Sequence, residues 1–296
     1  MATRDKTPKC RSAIIGGSGL YAMKGLREVR EVRVKTPFGE PSDAIMTGEI
    51  DGVRCAFLPR HGRGHRLLPS EVNSRANIWA LKSLGVERIL SLSAVGSLRE
   101  DFAPEHFVFP DQLVDETKRR DSTFFGEGVV AHVAFADPFC DAMSDLLYRT
   151  ARELGLKAHR GGTYICMEGP AFSTKAESEM HRKLGYSIIG MTAIGEAKLA
   201  REAEICYSPV AMVTDYDCWK VGEEVSSPKV IEHLMANVSN AQRLVAAVVG
   251  RLEKMRRDCP CENALKDAVF TRPDAMDRGT LRRLGPIVER YHQVPS

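Results

Sequence analysis

The chain has no stretch approaching the roughly 18 consecutive apolar residues that a membrane-spanning helix needs, so no such span is expected. Its first eleven residues are polar and basic with no apolar run behind them, unlike a secretory leader, and a cytoplasmic protein is predicted. Charge of one sign is also lacking. Lys and Arg number 42 against 39 Asp and Glu, a net charge of +3. That balance argues against nucleic acid or a membrane surface as partner, while leaving room for a local cationic pocket. No CxxC pair or Cys/His ligand spacing occurs, so no structural zinc or other metal site is expected. The eight cysteines are spread out and read as buried thiols of a reducing compartment. Cys259-Pro260-Cys261 is the one place for a tight local disulfide. No repeat, low-complexity tract or linker divides the chain.

What is present suits one large domain. The 296 residues are 43% hydrophobic and 27% charged, enough for a core that needs no disulfide or metal. Short apolar runs bounded by Gly and Pro alternate with helix-period segments. Strands are predicted over 12–15, 53–58, 88–92, 106–109, 163–166, 187–191 and 206–213. Helices are predicted over 73–83, 137–154, 174–184, 194–203 and 228–251. This alternation indicates an α/β layer fold with a parallel or mixed sheet. A single domain over 1–296 is expected, with its core over 12–253 and a helical extension over 254–296.

Five predicted strands run into polar or glycine-rich segments, and ligands of α/β folds gather at the carboxyl ends of strands. Gly16-Gly17-Ser18-Gly19 offers N–H groups and a hydroxyl to an anion, although alone it is equally a tight turn. It is not GxGxxG and no acidic ribose clamp follows, which argues against a dinucleotide. In Pro59-Arg60-His61-Gly62, Arg60 supplies a planar fork for phosphate oxygens and His61 a second donor. The bland alternative is an exposed basic turn. Ser93-Ala94 and Met191-Thr192 follow two further strands. Phe172, on a loop with Glu168 and Ser173, is either core or a face for a flat base. Thr214-Asp215-Tyr216-Asp217 continues a strand, so Asp215 and Asp217 are expected to face one pocket. Two carboxylates that close share a proton near neutrality, giving one donor and one acceptor. That matches the N7 and 6-amino edge of adenine. A metal site or a solvated turn is the competing reading, and no His cluster supports the metal.

Together these runs resemble the purine nucleoside phosphorylase family, and within it the branch acting on 5′-methylthioadenosine. The resemblance covers about residues 13–251. It rests on Gly-Gly-Ser-Gly-Leu at 16–20, Pro-Arg-His-Gly-Arg at 59–63, Asn-Ile-Trp-Ala-Leu-Lys at 77–82, Gly-Ser-Leu-Arg-Glu at 96–100, Glu-Gly-Pro at 168–170, Met191-Thr192 and Thr-Asp-Tyr-Asp-Cys-Trp-Lys at 214–220. It implies a mixed-sheet α/β sandwich that assembles as a trimer, or as a hexamer of two trimers. It implies a phosphate site of Ser18, Arg60, His61, Ser93, Ala94 and Thr192. Met191 would lie against the ribose, Phe172 on the base and Ser173 at its edge. Asp215 would meet N7 and the 6-amino group with Asp217 beside it, and His132 would reach the 5′ end of a neighbouring subunit's nucleoside. Pro228 falls where relatives place an apolar residue against the 5′-methylthio group. Ser18 and Ser93 stand where many relatives carry Thr, which keeps the hydroxyl. Ala193-Ile194-Gly195-Glu196 replaces a common Thr-Val-Pro-Glu.

The implied reaction is phosphorolysis of 5′-methylthioadenosine to adenine and 5-methylthioribose 1-phosphate, a step of purine and methionine salvage. Inorganic phosphate is then a co-substrate, and no metal or organic cofactor is implied. Protonated Asp215 is expected to donate to N7 as the bond breaks, with its pKa raised by burial and by Asp217. A protonated Asp215 also suits a 6-oxo group, so 5′-methylthioinosine and general purine nucleosides remain alternatives. A non-catalytic nucleoside-binding protein is the alternative of another class.

Overall fold

A computed structural model of the chain describes residues 9–17, 23, 25–223 and 227–295, with the backbone alone for 227–229. In chain order the strands and helices begin with β1 (Ser12–Gly16), β2 (Arg27–Val32), β3 (Ile45–Ile50), β4 (Val53–Pro59) and α1 (Ser74–Ser83). They continue with β5 (Arg88–Ser97), β6 (Phe107–Phe109), β7 (Gln112–Asp115), α2 (Asp141–Glu153), β8 (Ala158–Arg160) and β9 (Thr163–Cys166). The remainder are α3 (Lys175–Lys183), β10 (Ile188–Gly190), α4 (Ala193–Glu202), β11 (Cys206–Asp215), α5 (Ser227–Lys254) and α6 (Arg278–Leu284).

All described strands join one mixed sheet, as expected for the α/β class. Its main path is β2-β3-β4-β1-β5-β10-β9-β7, and β11 pairs β5 and β6 off that path. The ladders β1–β4, β1–β5 and β5–β11 are parallel, while β2–β3, β3–β4 and β5–β10 are antiparallel. β11 is buried over nine of its ten residues, which is why it reads as a mostly apolar run with β-branched residues. Pro209 is tolerated inside it because β6 pairs only with Ala211 and Met212, leaving that edge open at Pro209.

Local signals place the helix starts. The Asn73 side chain accepts from Ala76 N at 3.0 Å and begins α1. Thr174 and Glu177 form a capping box at α3. The helix expected from 137 instead starts at Asp141, because Pro138 disfavours helical geometry at the residue before it.

The strand expected to stop at Leu92 instead runs to Ser97. Parallel pairing with β11 holds it from Arg88 to Gly96. Its other edge is shared: β1 pairs as far as Ser91, and β10 begins only at Gly96. Among the described residues, that edge has no strand partner between these points. Ser93 and Ala94 therefore sit in a gap in the ladder, half-buried, rather than on a loop beyond it.

After α5 the tail folds back on the body. Leu265, Ala268, Leu281, Leu284, Ile287 and Val288 join the cluster formed by β1, α1 and α4 residues such as Ile15, Ile78 and Leu199. The tail also carries Cys259 and Cys261 to Cys140 and Cys206, and no cysteine is bridged.

Candidate active site

The segments expected at the carboxyl ends of strands meet around the gap in β5. The Arg60 peptide N–H donates to Gly16 O at 3.0 Å, which ties the end of β4 to the end of β1. Arg60 itself is 2% exposed. Its Nε donates to Glu196 Oε1 at 2.5 Å and its Nη2 to Glu196 Oε2 at 3.2 Å. Nη2 also donates to Ser91 Oγ at 2.6 Å, and Nη1 to Leu92 O at 2.9 Å. Ser91 and Tyr207 hydroxyls complete the Glu196 carboxylate at 2.7 and 2.9 Å.

Four of the five donors of a guanidinium are therefore met by protein. This differs from the expectation of a free fork presented to phosphate. Glu196 balances the Arg60 charge, and one Nη1 hydrogen is left to offer beside Leu92. Glu196 was not anticipated. Its signal in the sequence is an acid in the first turn of a helix that is otherwise buried almost throughout.

His61 also departs from expectation. Its Nδ1 lies 2.8 Å from Leu67 O, and only a protonated nitrogen can bond a carbonyl. Burial, reinforced by the Arg60 charge, lowers its pKa to about 4. The ring is thus neutral near pH 7, with Nε2 bare. It accepts a hydrogen bond and does not donate one. Toward phosphate, that atom suits a P–OH group. His65 stacks on it with ring centroids 4.3 Å apart.

Thr192 caps the N-terminus of α4 by backbone position, yet its side chain makes no capping bond. Its hydroxyl and the end of the helix are arranged for an anion. Ser93, Ala94, Met191 and Thr192 are all half-buried. Ser18 lies outside the described residues, and Pro228 is described only as backbone within α5.

At the other end of the gap, the Asp215/Asp217 geometry is not the extended one expected. β11 ends at Asp215, and Asp217 adopts φ 51°, a left-handed turn. Same-side alternation fails once the strand has ended. The two residues are joined differently: Asp217 N donates to Asp215 Oδ1 at 2.8 Å, and Thr214 Oγ1 donates to Asp215 Oδ2 at 2.7 Å. Asp215 is half-buried, and its pKa is raised, chiefly by burial. Asp217's charge pushes the same way, while the two hydrogen bonds oppose it. Asp217 is 5% exposed, and its Oδ2 has no partner.

Gly96 makes this closeness possible. A Cβ there would stand 2.9 Å from Asp215 Oδ1 and 3.0 Å from Ile189.

The loop with Phe172 is drawn to the same place. Met167 N donates to Gly190 O at 2.9 Å, and Met191 packs so tightly on Gly169 that a Cβ there would meet Sδ at 2.5 Å. Cys218 Sγ donates to Ser173 O at 3.3 Å, and Trp219 Nε1 donates to Ser97 O at 2.8 Å. Phe172 is 51% exposed, which removes the core reading and leaves a free aromatic face. Glu168 is no reacting acid. It binds the Lys118 and Arg119 N–H groups and the Arg120 side chain, fixing the neighbouring loop.

His132 is not brought to these residues. It is exposed on a segment bridged to the tail through Ala131 and Val269, with the exposed Phe270 ring 5.1 Å away.

A model of the phosphorylase superfamily matches residues 11–250. The S-methyl-5′-thioadenosine phosphorylase of Geobacter sulfurreducens is 56% identical over 280 residues, 94% of this chain and 98% of that one. The enzyme of that name from Hyperthermus butylicus is 50% identical over 88% of this chain and 96% of its own length. Among solved structures, a methylthioadenosine phosphorylase from an Antarctic soil metagenomic library superposes with TM-score 0.91 at 49% identity, covering 94% and 99% of the two chains. A mutant adenosine/methylthioadenosine phosphorylase from Schistosoma mansoni in complex with adenine gives TM-score 0.79 at 37% identity over 84% and 93%.

Proposed function

The chain belongs to the phosphorylase superfamily, and from that premise we propose that it cleaves 5′-methylthioadenosine with inorganic phosphate, releasing adenine and 5-methylthioribose 1-phosphate. The observation that carries the purine end of this reading is the buried, unpartnered Oδ2 of Asp217 beside a carboxyl whose pKa is raised. A buried acceptor left unmet costs about 1–3 kcal/mol. A donor on the ligand, such as an exocyclic 6-amino group, recovers that cost. A 6-oxo group offers no donor there, and sites built to hydrogen-bond a substrate group reject its mismatch by about 10⁴-fold. This favours 6-aminopurines over the inosine series.

As the glycosidic bond breaks, negative charge builds on the purine. Asp215 delivers its proton to N7. Phosphate occupies the gap between Ser93-Ala94 and Thr192, within reach of the remaining Nη1 hydrogen of Arg60. Its attack at C1′ is assisted by the charge it places beside the cationic sugar. His61 Nε2 accepts the remaining P–OH. Met191 lines the ribose, while Phe172 and Ser173 line the base. No metal or organic cofactor enters this chemistry.

The chain works in the cytoplasm as a homo-oligomer, a trimer. In it, exposed His132, supported by Phe270, reaches the 5′ end of a neighbour's substrate. Among the described helices, none is long and apolar enough to cross a membrane.

Incubation with phosphate and 5′-methylthioadenosine tests the reaction. Adenine and a sugar 1-phosphate are expected in equal amounts, with no adenine when phosphate is omitted. Phosphate-independent release, or none at all, would reject the proposal.

A further inference from the structure

Apart from the residues assigned to the chemistry just described, four sulfur atoms converge. The Sγ atoms of Cys140, Cys206, Cys259 and Cys261 all lie within 4.8 Å of one another. The Sγ atoms of Cys206 and Cys259 are 3.3 Å apart. Cys140, Cys206 and Cys261 are buried, and Cys259 is half-buried.

The four come from two parts of the molecule. Cys140 is the N-cap of α2 and Cys206 opens β11, while in the tail Cys259 caps the short turn over 260–263 and Cys261 lies within it. The Cys140 N–H donates to Tyr207 O at 2.9 Å, which fixes the first two side by side. A tetrahedral Zn–S₄ centre, with bonds of about 2.3 Å, sets its sulfurs about 3.8 Å apart. The observed spacing is of that size, and only small adjustments separate the four thiols from it.

Two features of the surroundings favour thiolates. Cys140 makes no side-chain capping bond and stands at a helix N-terminus, where a sulfur anion is stabilised. Arg257 lies beside Cys206, and its buried Nε–H has no acceptor. A neutral thiol serves that donor poorly, whereas a metal-bound thiolate accepts from it.

We propose that these four cysteines bind one Zn²⁺ ion in a closed, structural site that clips the tail to the body. Binding replaces four S–H protons by one dication, leaving a centre of charge −2 with Arg257 alongside. No redox step is involved. The sequence expectation of no zinc site rested on the missing CxxC spacing. The ligands here are a CxC pair completed by two residues brought together by the sheet. The fixed tail segment is the one that bridges to Ala131, so the clip also steadies the surface carrying His132.

The test uses the full-length protein purified under reducing conditions. About one zinc per chain is expected to survive gel filtration. After denaturation with chelator, and without added reductant, all eight cysteines of the chain should titrate as thiols. Exchange into cobalt should produce an intense sulfur-to-metal charge-transfer band in the near ultraviolet. The Cys259→Ser/Cys261→Ser variant should lose both band and zinc. Metal removal should lower the melting temperature of the wild type by about 5 °C or more. A wild-type protein with neither stoichiometric zinc nor a cobalt band would overturn the proposal. So would a thiol count short by two or four, which would mean that the cysteines close as disulfides.

Discussion

The two ends of the site are built on opposite terms. At the phosphate end, Arg60 and Glu196 form a buried pair, 3% and 1% exposed in their side chains, and Ser91, Leu92 and Tyr207 supply further bonds. That end is assembled before any ligand arrives. At the base end, Asp217 keeps a buried acceptor without a donor, and Asp215 carries a raised pKa in a half-buried position. That end is completed by what binds. The closed end holds its polar groups in fixed places, which suits a ligand that binds in one orientation. The unfinished end stores the discrimination, because a ligand with the right donor meets that acceptor and a ligand without one does not.

The sharpest way to break this comparison is at the base end. Asp215→Asn removes the proton donor but keeps the shape, and turnover of 5′-methylthioadenosine should fall by about 10²–10⁴. Phosphate binding, measured by calorimetry, should be nearly unchanged, since Asp215 touches none of the Arg60 network. A matching loss of phosphate affinity would mean that the ends are not separate.

The next largest effect should come at the closed end, in stability rather than chemistry. Glu196→Ala strands a buried guanidinium, and breaking such a pair costs about 3–5 kcal/mol. Urea unfolding should show the drop. An unchanged midpoint would mean that Arg60 finds another anion. Asp217→Asn should act on selectivity: an amide can donate to a 6-oxo group. The ratio of kcat/KM for methylthioadenosine over methylthioinosine should fall by about 10². The smallest effect is on the acid side. His61 has a folded pKa of about 4 against an ordinary 6.5. A depressed value means that stability is full above 6.5 and is lost as pH falls toward 4. His61→Gln should flatten that part of the stability curve, read from melting temperature at successive pH values.

How far the sequence reveals this site follows from how each part is made. β1, β4, β9, β10 and β11 are legible because burial on both faces writes them as apolar runs. β2, Arg-Glu-Val-Arg-Glu-Val, is a mostly exposed edge strand and carries no such signal. β7 and β8 are too short to show a period. The extension of β5 past Leu92 depends on its neighbours, so its own residues looked like a loop. Asp215 is legible as a carboxyl at a strand end. The turn at Asp217 is not, since a non-glycine residue at positive φ leaves no mark in a one-dimensional pattern. Glu196 and the four-cysteine cluster share one reason for being missed: Arg60 stands 136 residues from Glu196 and Cys259 stands 53 from Cys206, and only the fold brings them together.

The most direct test of the base end is the single-turnover cleavage of the 7-deaza analogue of 5′-methylthioadenosine by the wild-type protein. Carbon replaces N7 in that compound, while the 6-amino group that Asp217 reads is kept. Binding close to that of the parent nucleoside is expected, with cleavage slower by at least about 10² because Asp215 has no atom to protonate. Cleavage within about threefold of the parent rate would contradict the assignment of Asp215 as the acid at N7.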